Sequence, residues 1–442
     1  MGYRTSSSLS RRAFLGTASL AGGGLAYPFQ GLVEATQSGV ALNRPAGPPV
    51  DVARDETYWR RVAANFRVTP KIVNLEAGYW GLMATPVMAE FMRHTERVNL
   101  ENSFYARTAY SKDASSVTER VAAALGVDSS EIALTRGATE ALQCLIGGYN
   151  RLKAGDAVMY ADLDYPAMQY AMNWLADRRG VRVVRIEIPE PATYENVLQT
   201  YQSALAAHPD VRLLLLTHLN NKTGLMIPTA AIVKEARSRD VDVVIDAAHS
   251  FGQVDLKGPD IGADFIGFNL HKWIGAPVGV GVMYIRKGRL AHVDRMMADE
   301  DSPADSILSR VHTGTTNFAS VLTVPAALDF HEAVGPAYKA ARVHYLRNRW
   351  VGAVREIRGV DVLTPDDPRM VAAITSFRLG GATSSADNQR TVDELRGRYG
   401  IFSVKRNGIR RGECVRITPS LYNTPDHCDT LVAALSEMAG RR

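Results

Sequence analysis

The chain has 442 residues, 46% of them hydrophobic and 22% charged, which is ordinary for a globular protein long enough for two domains and excludes a disordered or low-complexity chain. Its net charge of +5 is too mild to argue for a nucleic-acid partner, and part of it sits in Arg4, Arg11 and Arg12 near the start. The three cysteines, Cys144, Cys414 and Cys428, lie far apart without metal-ligand spacing, so they read as unpaired thiols and no metal site is expected.

In chain order, residues 6–26 come first, "SSSLSRRAFLGTASLAGGGLA": a Ser-rich start, paired arginines and an apolar stretch too short to span a bilayer as a helix. This segment resembles a twin-arginine export signal, Ser10-Arg11-Arg12-Ala13-Phe14-Leu15 matching the S-R-R-x-F-L pattern. The resemblance implies a signal peptide over 1–35, the twin-arginine (Tat) export machinery as a partner, and a periplasmic or secreted mature protein. No other stretch approaches the roughly 18 uninterrupted apolar residues of a membrane helix, so no stable span is expected.

Residues 36–57 are rich in Pro, Gly and polar residues and read as an arm or linker rather than a core element. Together with a loop carrying Gly78 and Gly81 they make an N-terminal arm and substrate loop over 36–85. From 86 onward helical stretches alternate with short β-branched runs, the signature of an α/β domain with a largely parallel sheet. Seven strands are predicted: "EIAL" (131–134), "DAVMYA" (156–161), "VRVVRIEI" (181–188), "VRLLLLTHL" (211–219), "VDVVIDA" (241–247), "ADFIGFN" (263–269) and "VGVGVMYI" (278–285). Most are solidly apolar, as strands covered on both faces must be. Near 320 the texture changes to two long amphipathic helices, then short strands ("AAITSFRLG", "CVRITPS") and a closing helix over 425–440. The expectation is a large domain over 86–320 and a smaller α+β domain over 321–442.

In an open α/β sheet ligands sit beyond the carboxyl ends of the strands. "EIAL" runs into "TRGATEALQCL", where Gly137 permits a tight turn and Ala138-Thr139-Glu140 opens a helix whose free N–H groups suit a phosphate, or else a plain N-cap. "DAVMYA" leads to Tyr165, a packing residue or a stacking one, and "VRLLLLTHL" leads to His218 and Asn221. "VDVVIDA" stops on Asp246, a carboxylate that caps a turn or meets a buried cation. Lys272, in "GFNLHKWIGAPVGVG", follows the next strand. Alone it reads as a surface lysine; the alternative is an amine of lowered pKa that forms a Schiff base with a carbonyl cofactor. Asp246 and Lys272 at one sheet edge suggest a carboxylate on a pyridinium nitrogen and a lysine on the aldehyde of the same ring, the pairing expected of pyridoxal phosphate.

These residues resemble the class V aminotransferases of the fold type I pyridoxal-phosphate enzymes, which include cysteine desulfurases, isopenicillin N epimerase and related lyases. The resemblance runs from about residue 71 to the C-terminus. It rests on T-R-G-A-T-E-A (135–141), D-x-D-Y-P (162–166), T-H-x-N-N-x-x-G (217–224), V-V-I-D-A-A-H (243–249), H-K (271–272), H-T-G-T (312–315) and V-R-I-T-P-S-L-Y-N-T (415–424). It implies that Lys272 binds the cofactor aldehyde and Asp246 its ring nitrogen. It further implies that Ala138, Thr139, Asn269 and His271 hold the phosphate, that Tyr165 stacks on the ring where the family often has histidine, and that Asn221 and His249 lie beside the ring. Thr315 would reach the phosphate of a neighbouring subunit in a homodimer with shared active sites. Arg416 would bind the substrate carboxylate, with Asn74 and Gly78 also on the substrate side.

The stretch where desulfurases of the family carry a reactive cysteine, "GIFSVKRNGIRRGE" (400–413), has none, which disfavours that reaction. The expected activity is therefore at the α-carbon of an amino acid or derivative, by an enzyme like isopenicillin N epimerase, either epimerase or aminotransferase. A C–S or β-elimination lyase and an exported non-catalytic binding protein are the alternatives. Lys272 is the expected base; epimerisation needs a second acid on the opposite face, for which Tyr165 and His218 are the candidates. Selectivity is expected from loops 74–83, 102–112 and 400–413.

Overall fold

The computed structural model describes residues 39–441. The export-like segment lies outside them.

Alternation of apolar side chains organises the molecule. The strands are β1 (Val73–Asn74), β2 (Ile132–Thr135), β3 (Ala157–Ala161), β4 (Arg182–Ile186), β5 (Val211–Thr217), β6 (Asp242–Asp246), β7 (Phe265–Asn269) and β8 (Gly281–Ile285). The smaller unit adds β9 (Val360–Val362), β10 (Thr375–Leu379), β11 (Ile401–Phe402), β12 (Val404–Arg406) and β13 (Cys414–Ile417). Strands β2 to β8 form one sheet in the order β2-β8-β7-β6-β5-β3-β4, in which β8 alone runs against the rest. All seven predicted strands are present, each within the run that predicted it except β2, which extends one residue further to Thr135.

Each sheet face has its own core, because successive strand residues point opposite ways. Met159, Leu214, Leu216, Val243, Ile245 and Ile266 bury one face with helices Tyr110–Leu125, Tyr194–Ala207 and Thr229–Ser238. Val158, Leu213, Leu215, Val244 and Phe265 bury the other with Ala138–Gly148 and Pro166–Arg179. Coverage on both sides explains why these strands read as continuous apolar runs.

The second sheet, β12-β13-β10-β9, is antiparallel throughout. Helices Pro336–Arg355 and Pro425–Gly440 bury Leu346, Trp350, Leu431 and Leu435 with Phe377, Val415 and Ile417 of this sheet. Three features differ from expectation. The stretch 36–57 is not merely an arm: Asp55 caps helix Glu56–Ala63 by accepting from the Thr57 and Tyr58 amides, and Val52 is buried with Tyr58, Trp59 and Val343. Of the two long helices that directly follow 320, Val324–Val334 buries Val324, Ala327 and Leu328 in the large sheet's core, and Pro336–Arg355 serves the smaller one. Residues 102–112 are no loop. They belong to helices Thr85–Thr108 and Tyr110–Leu125, with a kink at Asn102, whose φ is 46°.

No helix among the described residues is long and apolar enough to cross a membrane. All three cysteines are free thiols.

Candidate active site

The carboxyl ends of β2, β5, β6 and β7 open on a cavity of about 550 Å³, roofed by β12, β13 and the segment after β1. At one end, Gly137 is the N-cap of helix Ala138–Gly148 and, having no side chain, makes no cap hydrogen bond of its own. The plain N-cap reading fails here: the Thr135 hydroxyl donates to the Gly137 carbonyl at 2.9 Å instead. The turn is held by Asn269, whose Oδ1 accepts from the Ala138 amide at 2.8 Å. It also needs Gly281 beside it, because a Cβ there would lie 2.5 Å from Gly137 Cα. A helix N-terminus whose N-cap glycine offers no side chain, with Thr139 on its first turn, favours a bound anion. His271 donates from Nδ1 to the Val280 carbonyl at 2.8 Å, leaving Nε2 as its free nitrogen. It can donate to a phosphate only when doubly protonated, which burial opposes and a neighbouring dianion favours.

Asp246 closes the opposite end. It is the last residue of β6, only 5% exposed, with Oδ1 accepting from the Ala248 amide at 2.9 Å. Burial raises its pKa, and the nearby Lys272 ammonium opposes that rise. A carboxylate so placed calls for a buried cation, which a protonated ring nitrogen supplies.

Lys272 lies between these ends. Burial pushes its pKa down to about 8; Asp246 resists this, and Arg416 and Arg406 add to it. Its Nζ is 3.0 Å from His249 Nε2. Trp273 Nε1–H donates to His249 Nδ1 at 3.3 Å, so the ring proton of a neutral His249 is on Nε2. That N–H can only donate to Nζ, and the amine that accepts is the unprotonated one, the nucleophilic form. Burial keeps His249 itself neutral.

Arg416, on β13, is 2% exposed. Its Nη1 donates to the Asn221 carbonyl at 2.6 Å and its Nη2 is ion-paired with buried Glu76. Gly78 is required for space: a Cβ there would lie 2.6 Å from Arg416 Nη2. Asn221 Oδ1 is buried without a partner on the cavity wall. Tyr165, at the start of helix Pro166–Arg179 and 38% exposed, lines the cavity from the outer side. The glycine-capped turn, the buried carboxylate, the amine of lowered pKa and the orphaned amide oxygen together fit pyridoxal phosphate.

Of the residues singled out from the sequence, Ala138, Thr139, Tyr165, Asn221, Asp246, His249, Asn269, His271, Lys272, Arg416 and Gly78 converge on this one cavity. His218 does not. It is buried outside the lining, bonded through Nδ1 to Ser250 Oγ at 2.9 Å, and burial pushes its pKa down to about 4, so it is no second acid. Asn74 faces a separate cavity of about 400 Å³ with Lys71 and His427, and its Oδ1 accepts from the Glu76 amide. Thr315 is exposed and does not line the cavity of its own chain. Residues 102–112 contribute nothing to the lining. Glu76 and Tyr79 in loop 74–83 and Arg406 in loop 400–413 fall in stretches expected to set selectivity, but no local pattern singles them out, nor the Arg136–Glu140 pair at the rim. Cys414 is fully buried, and burial raises its thiol to about 11, which makes it structural.

Fold and site together define a fold type I pyridoxal-phosphate enzyme. Residues 85–430 match the family described as aminotransferase class V. The isopenicillin N epimerase of Streptomyces clavuligerus is 26% identical over 86% of this chain and 98% of its own length. A probable cysteine desulfurase of Vibrio cholerae is 27% identical over 72% of this chain and 80% of its own. Among solved structures, the Escherichia coli cysteine desulfurase CsdA superposes with a TM-score of 0.73 at 20% identity, covering 87% of this chain and 98% of that one. The cystine C–S lyase C-DES does so with 0.71 at 21% identity, over 83% and 98%. The chain belongs to the class V aminotransferase family of pyridoxal-phosphate enzymes.

Proposed function

We propose that the protein acts at the α-carbon of an amino acid or amino-acid derivative, as an epimerase or aminotransferase resembling isopenicillin N epimerase. The observation that carries this is the shared cavity of Asp246, the buried Lys272 amine with its lowered pKa and the buried Arg416 guanidinium. When bound, pyridoxal phosphate supplies a carbonyl for the substrate amine and a protonated ring that withdraws electrons from the α-carbon.

The chain's own residues supply the rest. Asp246 keeps a proton on the ring nitrogen, because an unpaired carboxylate there would be costly. Arg416 takes the substrate carboxylate through the N–H groups that the Asn221 carbonyl and Glu76 leave over, its Nε being buried without a partner. Lys272 Nζ, in its unprotonated form and restrained by His249, accepts the α-proton, and Tyr165 also lines the cavity. With His218 outside the lining, Tyr165 is the remaining candidate for delivering a proton to a second face. The 26% identity with isopenicillin N epimerase over nearly its full length supports the epimerase branch, and the burial of Cys414 speaks against a thiol-relay desulfurase.

Reducing the cofactor-loaded protein with borohydride should fix one adduct on Lys272; an unmodified Lys272 would instead favour a non-catalytic binder. Incubating D- and L-amino acids with and without a keto-acid acceptor, while following product chirality, separates epimerisation from transamination. If neither occurs and a keto acid is released without acceptor, the lyase reading wins.

A homodimer with shared sites is part of the same proposal. Met88, Met92, Leu100 and Phe104 are exposed along helix Thr85–Thr108, and an apolar stripe of this kind suits a second copy. Sedimentation of a monomer at micromolar concentration would refute it. Export through the twin-arginine route rests on residues 1–35, and a fusion of residues 1–40 to a reporter that stays cytoplasmic would refute it.

A further inference from the structure

This inference rests on the reading of Arg416 as the anchor of an amino acid's α-carboxylate, and it concerns what the rest of that substrate carries. In the antiparallel pairing of β12 with β13, Val404 faces Arg416 and Arg406 faces Cys414. Arg406 and Arg416 are therefore diagonal neighbours on one sheet face. Both line the cavity.

Their partners differ. Arg416 is neutralised by Glu76 and bonded to the Asn221 carbonyl. The other cations of 400–413 are committed elsewhere: Lys405 pairs with Glu413 at 3.4 Å, and Arg410 and Arg411 pair with Glu187 at 3.4 and 2.9 Å. Among the described residues the Arg406 side chain has no hydrogen bond and no ion pair, and its Nε is buried without a partner. Burial and then the charge of Arg416 lower its pKa to about 10, and the Glu76 carboxylate, already bound to Arg416, offsets only part of that. A half-buried guanidinium left in this state beside a second cation is costly unless a ligand brings the counter-charge.

We propose that Arg406 is the specificity-determining residue that receives a second carboxylate, so that the substrate class is an α-amino acid or derivative with a distal acidic group. The α-carboxylate goes to Arg416, the distal one to Arg406, and Tyr165, which lines the cavity near Arg406, borders the space between them.

The test uses the cofactor-loaded enzyme and amine-free acids, which occupy carboxylate sites without reacting. Straight-chain dicarboxylates from malonate to adipate and monocarboxylates of matched length are titrated by calorimetry. The best dicarboxylate should bind at least about tenfold tighter than its matched monocarboxylate, the ratio expected of one charge-assisted hydrogen-bonded contact. Arg406→Gln should abolish that advantage without weakening monocarboxylates, and Arg406→Lys should keep part of it. No preference in the unaltered enzyme overturns the proposal, a comparison that stands even if the variants fold poorly. So does an Arg406→Gln enzyme that loses both series equally, because Arg406 would then share the α-carboxylate with Arg416. If neither series binds and no amino acid alters the cofactor absorbance, the amino-acid reading itself falls, and this proposal with it.

Discussion

Lys272 sets the pH at which the protein can capture its cofactor. Its pKa is lowered to about 8, chiefly by burial, so the unprotonated amine predominates only above that value. The rate at which cofactor-free protein captures pyridoxal phosphate, read from the absorbance change, should therefore rise with pH and level off above about 8. A rise that continues into the ordinary lysine range would show that Lys272 is not desolvated in solution. Lys272→Ala should lose the borohydride-fixed adduct and about 10²- to 10⁴-fold in turnover, the usual range for removing a general base. Asp246→Asn should still bind the cofactor but lose turnover by at least about a hundredfold, because a neutral amide cannot stabilise a protonated ring nitrogen. A variant with near-normal turnover would remove Asp246 from the ring. At this scale the sequence put Asp246 and Lys272 at one sheet edge, and both line the same cavity, since each ends or follows an apolar strand that can only be a sheet interior. It misjudged His218, because a polar residue just past a strand can turn towards the ligand or towards a neighbouring turn, and only packing shows that this one meets Ser250.

The phosphate turn is held by contacts between elements. β8 lies beside β2, and Gly281 pairs with Thr135 and Asn269 across its two neighbours. A methyl group at 281 would meet the Gly137 backbone at 2.5 Å, which no side-chain motion relieves. Gly281→Ala should therefore cost about 1–3 kcal/mol of stability, as overpacking does, and should weaken cofactor binding at the same time. Thermal melting and a cofactor titration check the two parts; an unchanged cofactor affinity would separate β8 from the phosphate site. The helix start at Ala138 was legible from Gly137 and the residues after it. The bond from Ala138 to Asn269 was not, because it joins positions 131 residues apart.

Across the whole molecule, the small unit is tied to the N-terminal segment and to the large domain by buried cations. Arg342, fully buried on helix Pro336–Arg355, is ion-paired with Glu56 and lies over the Trp59 ring at 5.3 Å. Arg342→Ala would leave Glu56 uncompensated and remove packing from Trp59, at a cost of about 3 kcal/mol, since Glu56 is only partly buried. Urea unfolding measures this directly, and a change within 0.5 kcal/mol, roughly the scatter of surface substitutions, would contradict it. The Pro/Gly-rich composition of 36–57 gave no sign of this anchoring, because the residues that bury Trp59 arrive from helix Pro336–Arg355, nearly 300 positions later in the chain.

The sequence by itself determined the layered α/β architecture, the seven strands and the residues at their carboxyl ends, because apolar periodicity and glycine turns act within a few residues. Only the tertiary structure decided that Glu76 neutralises Arg416 from 340 positions away, that Arg406 is left without a partner among the described residues while its neighbours are paired, and that His249 Nε2 lies 3.0 Å from the Lys272 amine. Charge pairing between distant segments leaves no local pattern, and in this protein it sets which cations remain available to a substrate.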